Sequence, residues 1–146
     1  MEISPDFNEL VELFNARKVD YVIVGAFALA FHGAPRFTGD LDILVRPDLE
    51  NARKILDALQ AFGFGSLNLS AEDFSDPHRV IQLGFPPVRI DLMTSLTGLT
   101  WEEIATGKIA GLLGKVPVQY LGKAELIRNK RAVGRAKDLA DIESLQ

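Results

Sequence analysis

Asp40-Leu41-Asp42 opens an apolar run that continues Ile43-Leu44-Val45. In an extended strand residues i and i+2 point to the same face, so Asp40 and Asp42 stand side by side while Leu41 and Ile43 turn to a core. Two carboxylates at that spacing repel unless a cation or basic group lies between them. A hard divalent ion such as Mg²⁺ takes oxygen ligands in this arrangement, usually one or two carboxylates with substrate phosphates completing the shell. Asp91 is a third acid inside an apolar strand, Val88-Arg89-Ile90-Asp91-Leu92-Met93. If that strand neighbours the one holding Asp42, the three acids converge. Three such acids can hold two metal ions roughly 3.5–4 Å apart, stabilising the attacking and leaving oxygens of a phosphoryl displacement. A carboxylate beside the attacking group could also accept its proton. Each acid alone has a plainer reading: Asp-Leu-Asp as a turn running into a strand edge, and Asp91 as an ion-pair partner of Arg89 or Arg36. The conjunction of the three points to chemistry.

Gly25-Ala26 closes one apolar run and opens another, with 13 residues between Ala26 and Asp40. A glycine at a strand-to-helix junction lets backbone approach a phosphate, and helix N-terminal amides favour anions. Positive charge is concentrated elsewhere: Lys123, Arg128, Lys130, Arg131, Arg135 and Lys137 stand against the single acid Glu125 between Gly122 and Lys137. Such a strip on an acidic chain fits phosphate contact or, more plainly, a solvated helix face. Lys130 and Lys137 are two helical turns apart and share a face if Gly134 does not break the helix. Arg131 and Arg135 occupy a neighbouring face. His32 is read as a helix-end residue and His78 as a loop residue, neither with companions for a metal.

The elements that must position these groups are legible in outline. Asp6, Glu9, Leu10, Leu13 and Phe14 predict a capped amphipathic helix to about Arg17. Tyr21–Val24 reads as a buried strand, Ala26–Phe31 as a short helix, Leu41–Val45 as a strand, and Asp48 as the cap of a helix closing near Gly63. From Phe62 to Pro77, glycine, serine and asparagine predict loop with one short strand at most. Arg79–Leu83 and Val88–Met93 form a candidate hairpin. Thr100 caps a helix over Trp101–Ala105, and Lys115–Tyr120 is a strand that Pro117 assigns to a sheet edge. Helices follow from Lys123 and again after Gly134. The expectation is one α/β (α+β) domain over residues 1–146, a small mixed β-sheet with packed helices.

The 146 residues suffice for one core. There is no cysteine, which excludes disulfides and thiolate metal sites. Tyr21–Phe31, the longest apolar stretch, is too short to span a bilayer, which takes roughly 20 residues, and no basic segment precedes an apolar run at the N-terminus. The expected location is cytoplasmic, away from membranes. A net charge of −4 and the lack of an aromatic series argue against a nucleic-acid-binding module.

The string Gly25-Ala26…His32-Gly33-Ala34-Pro35-Arg36-Phe37-Thr38-Gly39-Asp40-Leu41-Asp42, with Asp91 on a later strand, resembles the nucleotidyltransferases of the DNA polymerase beta superfamily. Within it, the likeness is to the small bacterial and archaeal branch that includes abortive-infection-type toxins. The branch's Arg-x-Thr falls on Arg36 and Thr38, and Lys130…Arg135-Ala136-Lys137-Asp138-Leu139-Ala140-Asp141-Ile142 resembles its closing helix. The resemblance implies a nucleotidyltransferase fold and transfer of a nucleoside monophosphate from an NTP, with Mg²⁺ or Mn²⁺. Asp40, Asp42 and Asp91 would be the catalytic and metal-binding acids. Gly25, Ala26, Arg36, Thr38, Lys130 and Lys137 would bind the nucleotide. The acceptor stays open between an RNA end, a protein hydroxyl and a small molecule, and a partner protein from a neighbouring gene could supply it. Ala26 departs from the pattern, which has Gly or Ser there, and leaves a second reading: an inactive regulator or partner subunit, as in a toxin–antitoxin pair.

Overall fold

The computed structural model describes residues 3–34, 39–63, 68–85 and 88–146. Helix α1 spans Pro5–Ala16 and buries Phe7, Leu10, Val11 and Phe14. Its cap is Ser4, whose hydroxyl accepts from the Asp6 amide, with Pro5 in the first turn; Asp6, the expected cap, is already helical. Strand β1 is Tyr21–Val24, wholly buried, and α2 is Gly25–Phe31. Strand β2 is Asp40–Val45, and α3 is Leu49–Phe62 between the Asp48 cap and a left-handed Gly63. Then come α4 (Glu72–Ser75), β3 (Val80–Phe85), β4 (Val88–Met93) and α5 (Trp101–Gly107). The chain finishes with β5 (Ile109–Leu113), β6 (Val116–Tyr120), α6 (Lys123–Val133) and α7 (Ala136–Leu145).

The strands form one mixed sheet in the order β3-β4-β2-β1-β6-β5. Pairings are antiparallel for β3–β4, β1–β2 and β5–β6, and parallel for β2–β4 and β1–β6. The expected hairpin is β3–β4, its connecting Pro86 and Pro87 lying outside the described residues. The central strands carry the core, with Val22, Ile23, Leu41, Ile43 and Val45 fully buried. Asn51 of α3 pins two of them from outside. Its side chain accepts from the Asp20 amide at 2.8 Å and donates to the Asp20 and Arg46 carbonyls at 2.9 and 3.0 Å.

Two expectations are corrected. Residues 72–75 form a helical turn, held by Phe74, which is fully buried, and by the Ser70 amide donating to Asp73. The strand with Pro117 is not an edge: β6 lies between β1 and β5. Proline is tolerated because the registered pair with β1 is Ile23 with Tyr120, so Pro117 falls beyond the end of β1, where its carbonyl accepts from the Asn15 side chain at 2.7 Å. The edge is β5, absent from the sequence reading. Gly111 lets β5 pass beneath two stacked rings, since a Cβ there would lie 2.7 Å from Phe31 and 2.9 Å from Tyr120.

Candidate active site

The acid pair is placed by strand alternation. Leu41 and Ile43 are fully buried while Asp40 and Asp42, on the other face, are half-buried. β4 runs parallel to β2 with Asp42 opposite Asp91 and Asp40 opposite Arg89, so the condition set for convergence is met. On the other side Val24 pairs with Asp42, which brings the β1–α2 junction against the same carboxylate. Gly25 has φ +66°, and a Cβ there would sit 2.2 Å from Asp42 Oδ2. The glycine thus makes room for the acid, a tighter demand than the phosphate approach read from sequence.

Arg89 lies among the acids. Its Nη2 donates to Asp40 Oδ2 at 3.0 Å and to Asp91 Oδ2 at 3.3 Å, while Nε stands 3.2 Å from Asp91 Oδ1 as an ion pair. Burial, reinforced by Asp91 and Asp40, pushes the Asp42 carboxyl up to about 6. Asp91 is also raised, chiefly by burial, against the opposing pull of Arg89. Both carboxyls of the Asp42–Asp91 pair are thus held above the usual carboxylate range by burial. The guanidinium of Arg89 offsets part of the acids' charge.

Could a metal ion take that place? The donors are hard oxygens, the set Mg²⁺ and Mn²⁺ use, and the cluster already gathers positive charge. Among the described residues, however, no three His, Asp or Glu side chains are gathered tightly enough to hold an ion together. The donor chemistry fits, with Arg89 standing on oxygens of Asp40 and Asp91 that a metal would need.

Facing the acids is a cleft of about 300 Å³. Gly25, Ala26, Asp40 and Asp42 line it from the sheet side, and Lys130, Val133, Arg135, Lys137 and Asp138 from the two C-terminal helices. Gly134 does break the helix, at φ +71°, so Lys130 and Lys137 reach the cleft from different helices, α6 and α7, and not along one face. Arg135, assigned to the other face, joins them. Lys130 is ion-paired to Asp141 at 2.9 Å and Asp138 at 3.5 Å. Arg36 and Thr38 lie outside the described residues. Sequence reasoning gave Arg89 no role beyond a partner of Asp91, although its position two before Asp91 puts both on one face. It gave Asp138 and Asp141 none.

No protein-family model matches the chain, and no curated protein matches it. Solved structures do. The Thermotoga maritima protein TM1012, described as a candidate nucleotidyltransferase, is 16% identical over 99% of this chain and 92% of its own, with a TM-score of 0.55. ANT(2″)-Ia, solved with adenylyl-2″-tobramycin, is 13% identical over 95% of this chain and 84% of its own, with a TM-score of 0.56. The lincosamide antibiotic adenylyltransferase LnuA, lincomycin-bound, is 12% identical over 99% of this chain and 98% of its own, with a TM-score of 0.54. At these identities the likeness is one of fold, and the fold is that of nucleotidyltransferases.

Proposed function

We propose that this chain transfers a nucleoside monophosphate from an NTP to an acceptor hydroxyl, releasing pyrophosphate. The observation that supports the reading is the register of β2 against β4, which sets Asp91 opposite Asp42 on the strand whose Asp40 and Asp42 line the cleft toward the C-terminal helices. Asp91 takes the proton of the attacking hydroxyl, its basicity raised by burial. Asp40 and Asp42, with Asp91, are the residues that would hold Mg²⁺ or Mn²⁺, which when bound supplies charge neutralisation at the reacting phosphate. The amides of Gly25 and Ala26 and the cations Lys130 and Lys137 face the triphosphate. Arg36 and Thr38 join the nucleotide site by resemblance alone.

The acceptor is a small molecule, an RNA end or a protein hydroxyl. ANT(2″)-Ia and LnuA, whose structures hold an adenylylated aminoglycoside and a lincosamide, make small hydroxylated molecules the first class to test. Two observations favour a second reading, a non-catalytic partner subunit such as a toxin–antitoxin component: Ala26 has no hydroxyl to offer a phosphate, and Arg89 stands on two of the acids. The experiment is transfer of label from α-³²P NTPs with Mg²⁺ or Mn²⁺ to aminoglycosides, lincosamides, tRNA and co-purifying protein. Labelled product that vanishes in Asp42→Asn supports transfer. Absence of product and of pyrophosphate release with every acceptor, from protein that binds NTP, supports the partner-subunit reading.

A further inference from the structure

The turn at Gly134 lays α7 against α6 and brings Lys130, from the last turn of α6, against two acids of α7. Lys130 Nζ is 2.9 Å from Asp141 Oδ2 and 3.5 Å from Asp138 Oδ1. The acid side chains are 5% and 1% exposed, and that of Lys130 12%. Asp138 is held in turn by Arg135, whose backbone amide and Nε donate to it at 3.2 and 2.7 Å. Those bonds keep its carboxyl ionised, down to about 2.

A buried ion-pair cluster is a weak way to join two helices, because desolvation offsets most of the attraction. Two carboxylates at or just behind the wall of a polyanion site are worse still unless their charge is used. Here the cluster lies on the cleft, with Lys130 and Asp138 both lining it beside Gly25, Ala26, Asp40 and Asp42. A lysine ammonium rides on a flexible four-carbon stem. Fixing it before a ligand arrives removes ordering entropy that binding would otherwise have to overcome.

Resting on the nucleotide-transfer reading above, we propose that Asp138 and Asp141 are positioning residues that clamp the Lys130 ammonium at the cleft to receive the triphosphate. Lys137, exposed on the same cleft and without an ion pair among the described residues, is the unclamped cation.

The test uses inorganic tripolyphosphate with Mg²⁺ as probe, which is independent of base identity, and calorimetry on the full chain. Through space alone, Asp141→Asn removes a negative charge from behind Lys130 and tightens anion binding. The clamp predicts the opposite sign: Asp141→Asn weakens binding roughly tenfold, Lys130→Gln at least as much, and Lys130→Arg less than Lys130→Gln. The double variant Lys130→Gln/Asp141→Asn, which leaves no lone charge between the two positions, binds no more weakly than Lys130→Gln. Unchanged or tighter binding by Asp141→Asn, whatever its melting temperature, overturns the clamp while leaving the nucleotide site standing. A wild-type protein that binds neither tripolyphosphate nor any NTP with Mg²⁺ overturns both.

Discussion

Asp42 is the residue on which the site's electrostatics turn. Its carboxyl binds a proton more tightly in the folded chain, at about 6, than in the unfolded one. For a raised acid, the stability it contributes is fully present below the unfolded value and is lost as pH rises through about 6. Metal-free wild type should therefore lose about 2–3 kcal/mol relative to Asp42→Asn between pH 4 and pH 8. Urea denaturation at the two pH values measures it. A pH-independent difference would mean that Asp42 is held as a settled ion-pair partner. Gly25 is the second residue-scale prediction. Gly25→Ala combines a φ of +66° with overlap on Asp42 Oδ2, and should destabilise by about 2–4 kcal/mol. In Asp42→Ala, which lacks Oδ2 and Cγ, the same change should cost markedly less, and a double-mutant cycle gives the coupling.

Helices and strands carried different amounts of their own instructions. α3 was legible at both ends because Asp48 and Gly63 act locally, as were α5 through Thr100 and the break at Gly134. β5 was not legible: Ile-Ala-Gly-Leu-Leu lacks alternation, and its place is set by Gly111 beneath Phe31 and Tyr120 and by the Tyr120 hydroxyl donating to the Leu112 carbonyl. The acids were legible because strand alternation needs only neighbours in sequence. The Lys130 partners were not, because they meet only when α7 folds onto α6. Asn51 shows how a long-range polar contact fixes the elements beneath the site. Fully buried, it satisfies backbone groups of Asp20 and Arg46 at the ends of β1 and β2 remote from the acids. Asn51→Ala strands those groups and should cost about 2–4 kcal/mol in denaturant unfolding. A loss under about 0.5 kcal/mol, the range of an ordinary surface substitution, would show that the strand ends find other partners.

Across the whole molecule, an acidic chain sets three of its 16 Lys and Arg residues on the wall of one cleft. Of the basic strip between Gly122 and Lys137, Lys130, Arg135 and Lys137 line the cleft, while Arg128 turns away to Glu103 at 2.6 Å. The α6–α7 turn folds the strip so that Lys130, Arg135 and Lys137 meet at the cleft while Lys123, Arg128 and Arg131 stay exposed. Among the described residues no helix is long and apolar enough to cross a membrane. The sheet presents acids and the C-terminal helices present cations, the pairing that the proposed triphosphate with divalent ions would satisfy. In the proposed function, acids and cations act as a single metal-dependent nucleotide site. Calorimetric titration of each NTP into wild type and Asp42→Asn, with Mg²⁺ and with chelator, tests it most directly. NTP binding should tighten at least tenfold with Mg²⁺ in wild type and gain little from Mg²⁺ in Asp42→Asn. NTP binding that is equally tight with chelator, or a Mg²⁺ response that survives in Asp42→Asn, would contradict it.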